Sequence, residues 1–234
     1  WSSDVCSSDL PTEGYIYLDG KDINSKNYDR SELRQSIGVV FQYPENQLFE
    51  TTVEKDIAFG LRYSTLSPGE IVERVKWAAE TMGLDFEAIR KQSPMALSGG
   101  EKRKVAIAGV LAVKPRVLIL DEPVAGLDPY SRKSFLENAV ELNNNGMTII
   151  MISHNMDALA EYTRNLLVLD EGKLIESGET KAVFMGLQNG KQKTKPQQVA
   201  SLISKHQEGF PQDVITYDDL ILALKCHLLG GSLE

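Results

Sequence analysis

The sequence predicts an α/β fold: a parallel sheet flanked by helices, with antiparallel β hairpins, a helical subdomain and a small C-terminal helical extension. Two observations carry this prediction. Short apolar runs rich in β-branched residues, such as Val117–Leu120 and Met147–Ile152, are typical of strands buried in a parallel sheet. Capped segments of helical length stand between such runs, and this alternation is the chain order of an α/β protein.

The composition predicts a sizeable core and argues against a nucleic-acid partner. The chain has 234 residues, and its 25 basic and 33 acidic residues give a net charge of −8, whereas nucleic-acid binding usually requires a basic face. Cys6 and Cys226 lie at opposite ends and the three histidines have no ligand spacing, so we expect no disulfide framework or metal cluster. No apolar run approaches the roughly 18–20 residues that span a bilayer, so any work at a membrane requires docking on another subunit.

The N-terminal quarter contains a predicted hairpin and a predicted strand. Trp1–Asp9 is rich in Ser and Asp, lacks the pattern of a signal peptide, and is predicted to be a non-native leader. Gly14–Ile23 alternates apolar and polar residues around a central Asp-Gly pair, which predicts a hairpin. A short helical turn over Ser31–Ser36 and a strand over Ile37–Phe41 follow, and the strand ends at Gln42.

Two segments have the spacing of a capping box, in which a Ser is followed three residues later by a Glu. The first, Ser67–Glu70, predicts a helix that runs to Met82. The second, Ser98–Glu101, predicts a helix that runs to about Val113 and ends before a proline. The second box contains two glycines, and a helix N-terminus with free backbone N–H groups is a possible phosphate site. The basic run Lys102–Lys104 inside this helix is interpreted as a solvated face.

An acidic pair, Asp121-Glu122, directly follows the predicted strand Val117–Leu120. Ligands in parallel sheets bind at the carboxyl ends of strands. There an Asp can hold Mg²⁺ through water, and the neighbouring Glu can accept a proton from an attacking water. Taken alone, the pair could equally be two solvated acids in a loop.

The remaining segments complete the predicted α/β order. Asp128 caps a helix that runs to about Asn144, and the strand Met147–Ile152 is followed by Ser153-His154. The later elements are a hairpin, a short helix, a polar linker and two helices of the C-terminal extension: Leu166–Ser177, Glu179–Met185, 186–196, Val199–Lys205 and Tyr217–Leu228. The extension is predicted either to form a dimer contact or to pack on its own domain.

These motifs together resemble those of the ABC-type ATPases. Leu97–Glu101 resembles the family's signature motif, Leu118–Glu122 its Walker B segment with the catalytic glutamate, and Gly126–Asp128 its D-loop. Gln42 resembles the Q-loop glutamine and His154 the switch histidine. Two further segments, Tyr43–Phe49 and Thr52–Gly60, are similar to the ATPases of energy-coupling factor (ECF) transporters, and within that group to the second of the paired ATPases. The resemblance implies a P-loop NTPase-like nucleotide-binding domain over 10–185, with the helical subdomain inside 43–97, followed by the linker and the extension over 197–234.

The resemblance also implies roles for these residues. Asp121 and Gln42 would hold Mg²⁺, Glu122 would polarise the attacking water, and His154 and Gln42 would sense the γ-phosphate. The remaining candidate ATP contacts are Ser98, Gly99, Gly100, Glu101 and Asp128, with the signature residues acting on the nucleotide held by a partner. The implied cofactors are ATP and Mg²⁺.

The implied function is that of the ATP-hydrolysing subunit of an importer of vitamins or metal ions, peripheral to the cytoplasmic face of the cell membrane. The implied partners are a second ECF ATPase, a transmembrane coupling subunit and a substrate-binding membrane subunit. A chromosome or DNA-repair ATPase of the same superfamily would need a coiled coil between Gln42 and Ser98, for which there is no room. A translation-factor ATPase would have two ATP-binding cassettes in one chain, whereas the motifs here make up only one.

The sequence contains no G-x-x-x-x-G-K-[ST] motif, the phosphate-binding Walker A loop of this family. The chain as written is therefore expected to be a truncated ATPase that binds its own ATP poorly. The alternative is a non-catalytic fragment or regulatory subunit that donates only its signature motif to a partner's site. The resemblance further implies that the strand before Walker A would lie next to the strand ending at Asp121, so that its absence would leave a central strand unpaired and the isolated chain poorly soluble.

Overall fold

The computed structural model describes residues 13–187, 193–207 and 209–228. The chain divides into two compact units, Trp1–Ile152 and Ser153–Glu234, which are described separately. The predicted leader and residues 188–192 of the predicted linker lie outside the described residues. No helix in the described ranges is both long enough and apolar enough to cross a membrane.

The first unit combines a short hairpin, a three-stranded sheet and a group of helices. In chain order its elements are β1 (Tyr17–Leu18), β2 (Lys21–Asp22), α1 (Arg30–Ser36), β3 (Ile37–Val40), α2 (Val53–Ala58), α3 (Pro68–Thr81), α4 (Phe86–Ile89), α5 (Gly99–Ala112), β4 (Val117–Asp121), α6 (Pro129–Asn144) and β5 (Thr148–Ile152). Helix α5 is the centre of the unit, since it packs on α2, α3 and β3.

The sheet has the order β3-β4-β5, and both pairings are parallel. Val40 aligns with Leu120, and Leu120 aligns with Met151, so the carboxyl ends of all three strands lie at one edge. The resemblance implied that the strand before Walker A lies next to the strand ending at Asp121. That position was wrong, because β3 and β5 already pair with the two edges of β4. Within the described ranges β3 and β5 are the two edge strands, and Ile150 and Ile152 of β5 are 47% and 48% exposed.

The two predicted capping boxes are confirmed, and each begins a helix of 14 residues. Helix α5 buries Val105, Leu111 and Ala112 completely, and it ends before Pro115 as predicted. Helix α2 was not predicted; it has only six residues, too few for a clear apolar period, although Thr52 caps it. Every other predicted helix and strand of this unit is present within one or two residues.

The second unit contains α7 (Met156–Tyr162), β6 (Asn165–Asp170), β7 (Lys173–Glu179), α8 (Thr180–Gly186), α9 (Lys195–Ile203) and α10 (Tyr217–Leu228). Strands β6 and β7 form the predicted antiparallel hairpin. Helix α9 begins four residues earlier than predicted, inside the predicted linker, because Thr194 and Gln197 form a capping box there. Helices α9 and α10 share a small core of Ala200, Phe210, Val214, Leu220 and Ala223.

Candidate functional site

The acidic pair lies at the carboxyl edge of the sheet. Strand β4 buries Leu118 and Leu120 and carries Asp121 as its last residue. Glu122 has a left-handed backbone with φ of +46°, a conformation that is uncommon outside glycine and concentrates at functional sites. Its N–H donates to the carbonyl oxygen of Ile152 at 2.9 Å. The turn into Glu122 is therefore fixed to the neighbouring strand.

The environment of Asp121 suits a cation. Burial raises the pKa of its carboxyl group, and the adjacent charge of Glu122 raises this pKa further. A bound cation would oppose both effects by favouring the ionised carboxylate. Among the described residues there is no cluster of three or more His, Cys, Asp or Glu that could hold a metal ion. This donor set fits Mg²⁺, which commonly binds one or two carboxylates and completes its shell with water and phosphate oxygens.

Gln42 lies at the same edge of the sheet as the acidic pair. It follows Val40 by two residues, just as Glu122 follows Leu120, the register partner of Val40. The next residue, Tyr43, also has a left-handed backbone, with φ of +58°. Both loops at this edge thus contain a non-glycine residue in a sparsely populated conformation. The structure brings Gln42, Asp121 and Glu122 to one edge of the sheet.

The signature segment is an exposed, fully formed capping box. The Ser98 hydroxyl donates to the Glu101 carboxylate at 2.7 Å and accepts from the Glu101 N–H at 3.3 Å, while the Ser98 N–H donates to the same carboxylate at 3.0 Å. Hydrogen bonding to Ser98 lowers the pKa of Glu101. Because the hydroxyl has one proton, Ser98 could donate to an anion only by releasing Glu101.

Packing among the residues that the structure describes does not explain Gly99 and Gly100. Both are exposed, and a Cβ atom at either position would meet nothing within 4 Å. Glycine has a low helix propensity, and the two glycines stand in the first turn of α5, where no neighbouring atom among the described residues requires them. Close approach of another molecule would supply a reason for them.

Asp128 and His154 occupy helix starts. Asp128 caps α6 by accepting from the N–H groups of Tyr130 and Ser131, both at 3.0 Å, and the bonds to Ser131 lower its pKa. His154 lies in the second unit, just before α7, which Asn155 caps through the Ala158 N–H at 3.1 Å. Helix capping is sufficient to explain the local hydrogen bonds of Asp128, so the contact of Asp128 with a nucleotide remains a prediction.

Sequence reasoning missed the environment of Arg103. The run Lys102–Lys104 was interpreted as a solvated face, yet Arg103 is only 5% exposed and pairs with Glu45. Helical periodicity could have found it, because Arg103, Ile107 and Leu111 are spaced four residues apart on the buried face of α5.

Comparison with known proteins agrees with these motifs. Residues 5–125 match the family model described as ABC transporter. The chain is 51% identical over 175 residues to an energy-coupling factor transporter ATP-binding protein, EcfA2, of Clostridium tetani, and the alignment covers 74% of this chain and 61% of that protein. It is 40% identical over 232 residues to the protein of the same name from Symbiobacterium thermophilum, covering 94% of this chain and 77% of that protein. The chain thus spans about three fifths of the first relative's length.

Solved structures show the same fold. The structure of cbiO1 from Clostridium perfringens, described as part of the ABC transporter complex cbiONQ, superposes with a TM-score of 0.67 at 38% identity, over 83% of this chain and 73% of that one. A dimeric ATP-binding cassette bound to ADP and Pi in a post-hydrolysis state superposes with a TM-score of 0.63 at 26% identity, over 74% of this chain and 75% of that one.

Proposed function

This chain belongs to the ABC transporter family and, within it, to the ATP-binding proteins of energy-coupling factor transporters, and from that premise we propose that it is the ATP-hydrolysing subunit of an importer. The observation that carries the proposal is the edge of the sheet at which Gln42, Asp121 and Glu122 lie at the carboxyl ends of adjacent parallel strands. Positioning and charge neutralisation account for most of the catalysis of phosphoryl transfer. This edge offers positioning, and the Mg²⁺ that it would hold would supply the neutralising charge.

Each residue has a distinct proposed task. Asp121, with Gln42, holds Mg²⁺, which when bound supplies positive charge to the phosphate oxygens. Glu122 accepts a hydrogen bond from the attacking water and so polarises that water. Gln42 and His154 contact the γ-phosphate.

The signature segment acts on a nucleotide held by a partner ATPase. Ser98, Gly99 and Gly100 present the N-terminus of α5, whose free N–H groups and dipole favour a phosphate. Glu101 fixes the Ser98 rotamer through the capping box, and Asp128 fixes the start of α6. The exposure of both glycines supports this assignment, because a partner's nucleotide can approach them.

The transporter assembly supplies the other subunits. We propose a second ECF ATPase, in a heterodimer, a transmembrane coupling subunit and a membrane subunit that binds a vitamin or a metal ion. The chain would then be peripheral to the cytoplasmic face of the cell membrane. Its net charge of −8 gives no support to a nucleic-acid partner.

The test is a matched pair of glutamate variants in the assembled transporter. Glu122 and Glu171 both have φ of +46°, but Glu171 lies in the β6–β7 turn. We expect Glu122→Gln to lower the rate of ATP hydrolysis by roughly 10²- to 10⁴-fold, because a positioned base contributes about that much. Glu171→Gln should hydrolyse ATP at the unmodified rate.

Two other outcomes would redirect the proposal. If Glu122→Gln leaves hydrolysis unchanged while Ser98→Ala lowers it, the chain is a signature-donating subunit and the catalytic glutamate lies in its partner. If neither variant changes the rate, the proposed function is wrong.

A further inference from the structure

Arg103 is a charged side chain held inside the first unit. It lies in the second turn of α5 and is 5% exposed, whereas its neighbours Lys102 and Lys104 are half-buried. A buried guanidinium is costly unless hydrogen bonds and an opposite charge compensate for its lost hydration. Its partners therefore determine what it contributes to the fold.

Those partners lie on two separate segments of the chain. Arg103 Nε donates to Glu45 Oε2 at 3.1 Å, and Nη2 donates to Glu45 Oε1 at 3.4 Å, in a two-pronged pair. The remaining terminal nitrogen, Nη1, donates to the carbonyl oxygen of Ala125. The guanidinium carbon also lies 5.9 Å from the centre of the Tyr43 ring. Arginine can satisfy this set because its planar fork carries five donors, whereas the single ammonium of a lysine cannot reach both sides.

Each contacted segment adjoins a proposed functional residue. Glu45 lies in the helical turn Pro44–Gln47, three residues after Gln42. Ala125 lies in the turn that joins Glu122 to Asp128, and its own N–H donates to the carbonyl oxygen of Glu122 at 3.2 Å. Arg103 itself is five residues from Ser98. One side chain therefore connects the loop after Gln42, the signature helix and the turn between the acidic pair and the D-loop.

We propose that Arg103 is a positioning residue that holds these three segments in one mutual arrangement, so that a change at the loop after Gln42 reaches the turn after Glu122. The proposal rests on the proposed function, because it assigns the connection to ATP hydrolysis. It requires no contact between Arg103 and the nucleotide. Loss of the connection should alter the rate of hydrolysis more than the affinity for ATP.

The first experiment perturbs one end of the connection and measures the other by hydrogen–deuterium exchange of this chain in the assembled transporter. Glu45→Gln removes the charge that faces Arg103 and leaves Ala125 untouched. We expect exchange in residues 122–128 to increase roughly three- to thirtyfold, the range for energetic coupling through a packed network. The control is Glu54→Gln, which breaks the Glu54–Arg90 pair of the same unit, at 3.4 Å, and should leave residues 122–128 unchanged. An increase confined to residues 43–49 in Glu45→Gln would overturn the connection.

The second experiment measures the role in hydrolysis in the assembled transporter. We expect Arg103→Gln to lower kcat by roughly three- to thirtyfold with KM for ATP within about twofold of the unmodified value. Arg103→Lys should recover part of the loss, because it restores the charge opposite Glu45 but not the bond to Ala125. A raised KM with unchanged kcat, or an unchanged kcat in both variants, would overturn the positioning role.

The two experiments separate the inference from the proposed function. An unmodified assembly that fails to hydrolyse ATP contradicts the proposed function and, with it, the assignment of Arg103 to hydrolysis. The exchange experiment uses no nucleotide and still decides whether Arg103 connects the two segments.

Discussion

Ser67 and Ser98 are a natural pair for separating fold from function at the level of single residues. Both cap a helix, and both hydroxyls donate to a Glu carboxylate, at 2.6 Å and 2.7 Å. In both boxes the hydrogen bonds from the serine lower the pKa of the glutamate. The local structure of Ser98 is therefore fully explained by helix capping, and only a difference between the two positions can reveal a further role.

We predict that Ser67→Ala and Ser98→Ala lower the free energy of unfolding by a similar amount, about 1 kcal/mol each, because each removes one N-cap. Only Ser98→Ala should also slow ATP hydrolysis in the assembled transporter. Thermal denaturation of each variant measures the first effect and steady-state ATPase assays the second. Equal activity of the two variants would mean that Ser98 only caps α5.

The residue scale also shows where sequence reasoning reached its limit. The capping boxes and the acidic pair follow from short-range spacing, and spacing is visible in a sequence. The left-handed backbones of Tyr43 and Glu122 depend on the path of the loops at the sheet edge, and neither residue type indicates such a conformation in a sequence. The burial of Arg103 depends on Glu45, which lies 58 positions away in the chain.

At the scale of elements, prediction succeeded where a local signal ends or begins a segment. Pro115 ends the segment of α5, and the Glu171-Gly172 turn separates β6 from β7. Short helices such as α2 and α7 lack a full apolar period and were not predicted. The position expected for the strand before Walker A was the principal error, because the order of strands is set by long-range pairing. The strand β4, which was expected to have an unpaired edge, has a neighbouring strand on each side.

Among the described residues β5 is an edge strand with exposed apolar side chains, and this predicts a specific route to aggregation. We expect a chain of this sequence, expressed alone, to self-associate through β5, because an exposed apolar edge strand can pair with a second copy. Ile150→Lys should raise the monomeric fraction in size-exclusion chromatography, since Ile150 is 47% exposed and charge on an edge opposes pairing. The control is Tyr15→Lys, which changes a more exposed apolar residue, 74% exposed, outside that strand.

The comparison between these two variants distinguishes the mechanisms. If edge pairing drives association, Ile150→Lys is effective and Tyr15→Lys is not. Equal improvement in both variants would indicate general apolar exposure instead. A monodisperse unmodified chain with a cooperative melting transition would contradict the prediction altogether.

At the scale of the whole molecule, the two units have different relations to the proposed function. The first unit contains the acidic pair, Gln42 and the signature segment, and the family model matches residues 5–125. The second unit contains His154 and the C-terminal helices. Within it, the Asp157 carboxylate accepts from the N–H of Lys195 at 2.8 Å and from the Tyr217 hydroxyl at 3.5 Å. The first residues of α9 and α10 are thereby bonded to the helix that follows His154.

The C-terminal helices pack on each other and still leave apolar side chains outside their core. Leu202 of α9 is 59% exposed, and Ile221 and Leu222 of α10 are 49% and 53% exposed. The two predicted alternatives, internal packing and a dimer contact, are thus compatible, because the exposed apolar residues are not those of the shared core. An exposed apolar surface of this kind is typical of a site that a partner protein covers.

We predict that these residues contribute to assembly with the second ATPase. Leu202→Asp and Ile221→Asp should each weaken the ATPase dimer by about 1–2 kcal/mol, the cost expected for truncating or charging a well-buried interface residue. Sedimentation equilibrium of the purified pair measures the dissociation constant. Gln198→Glu adds the same charge to an exposed polar position of α9 and should leave the constant unchanged. The two aspartate substitutions do not change the core residues Phe210 and Leu220. An unchanged dissociation constant in both aspartate variants would therefore assign the helices to internal packing alone.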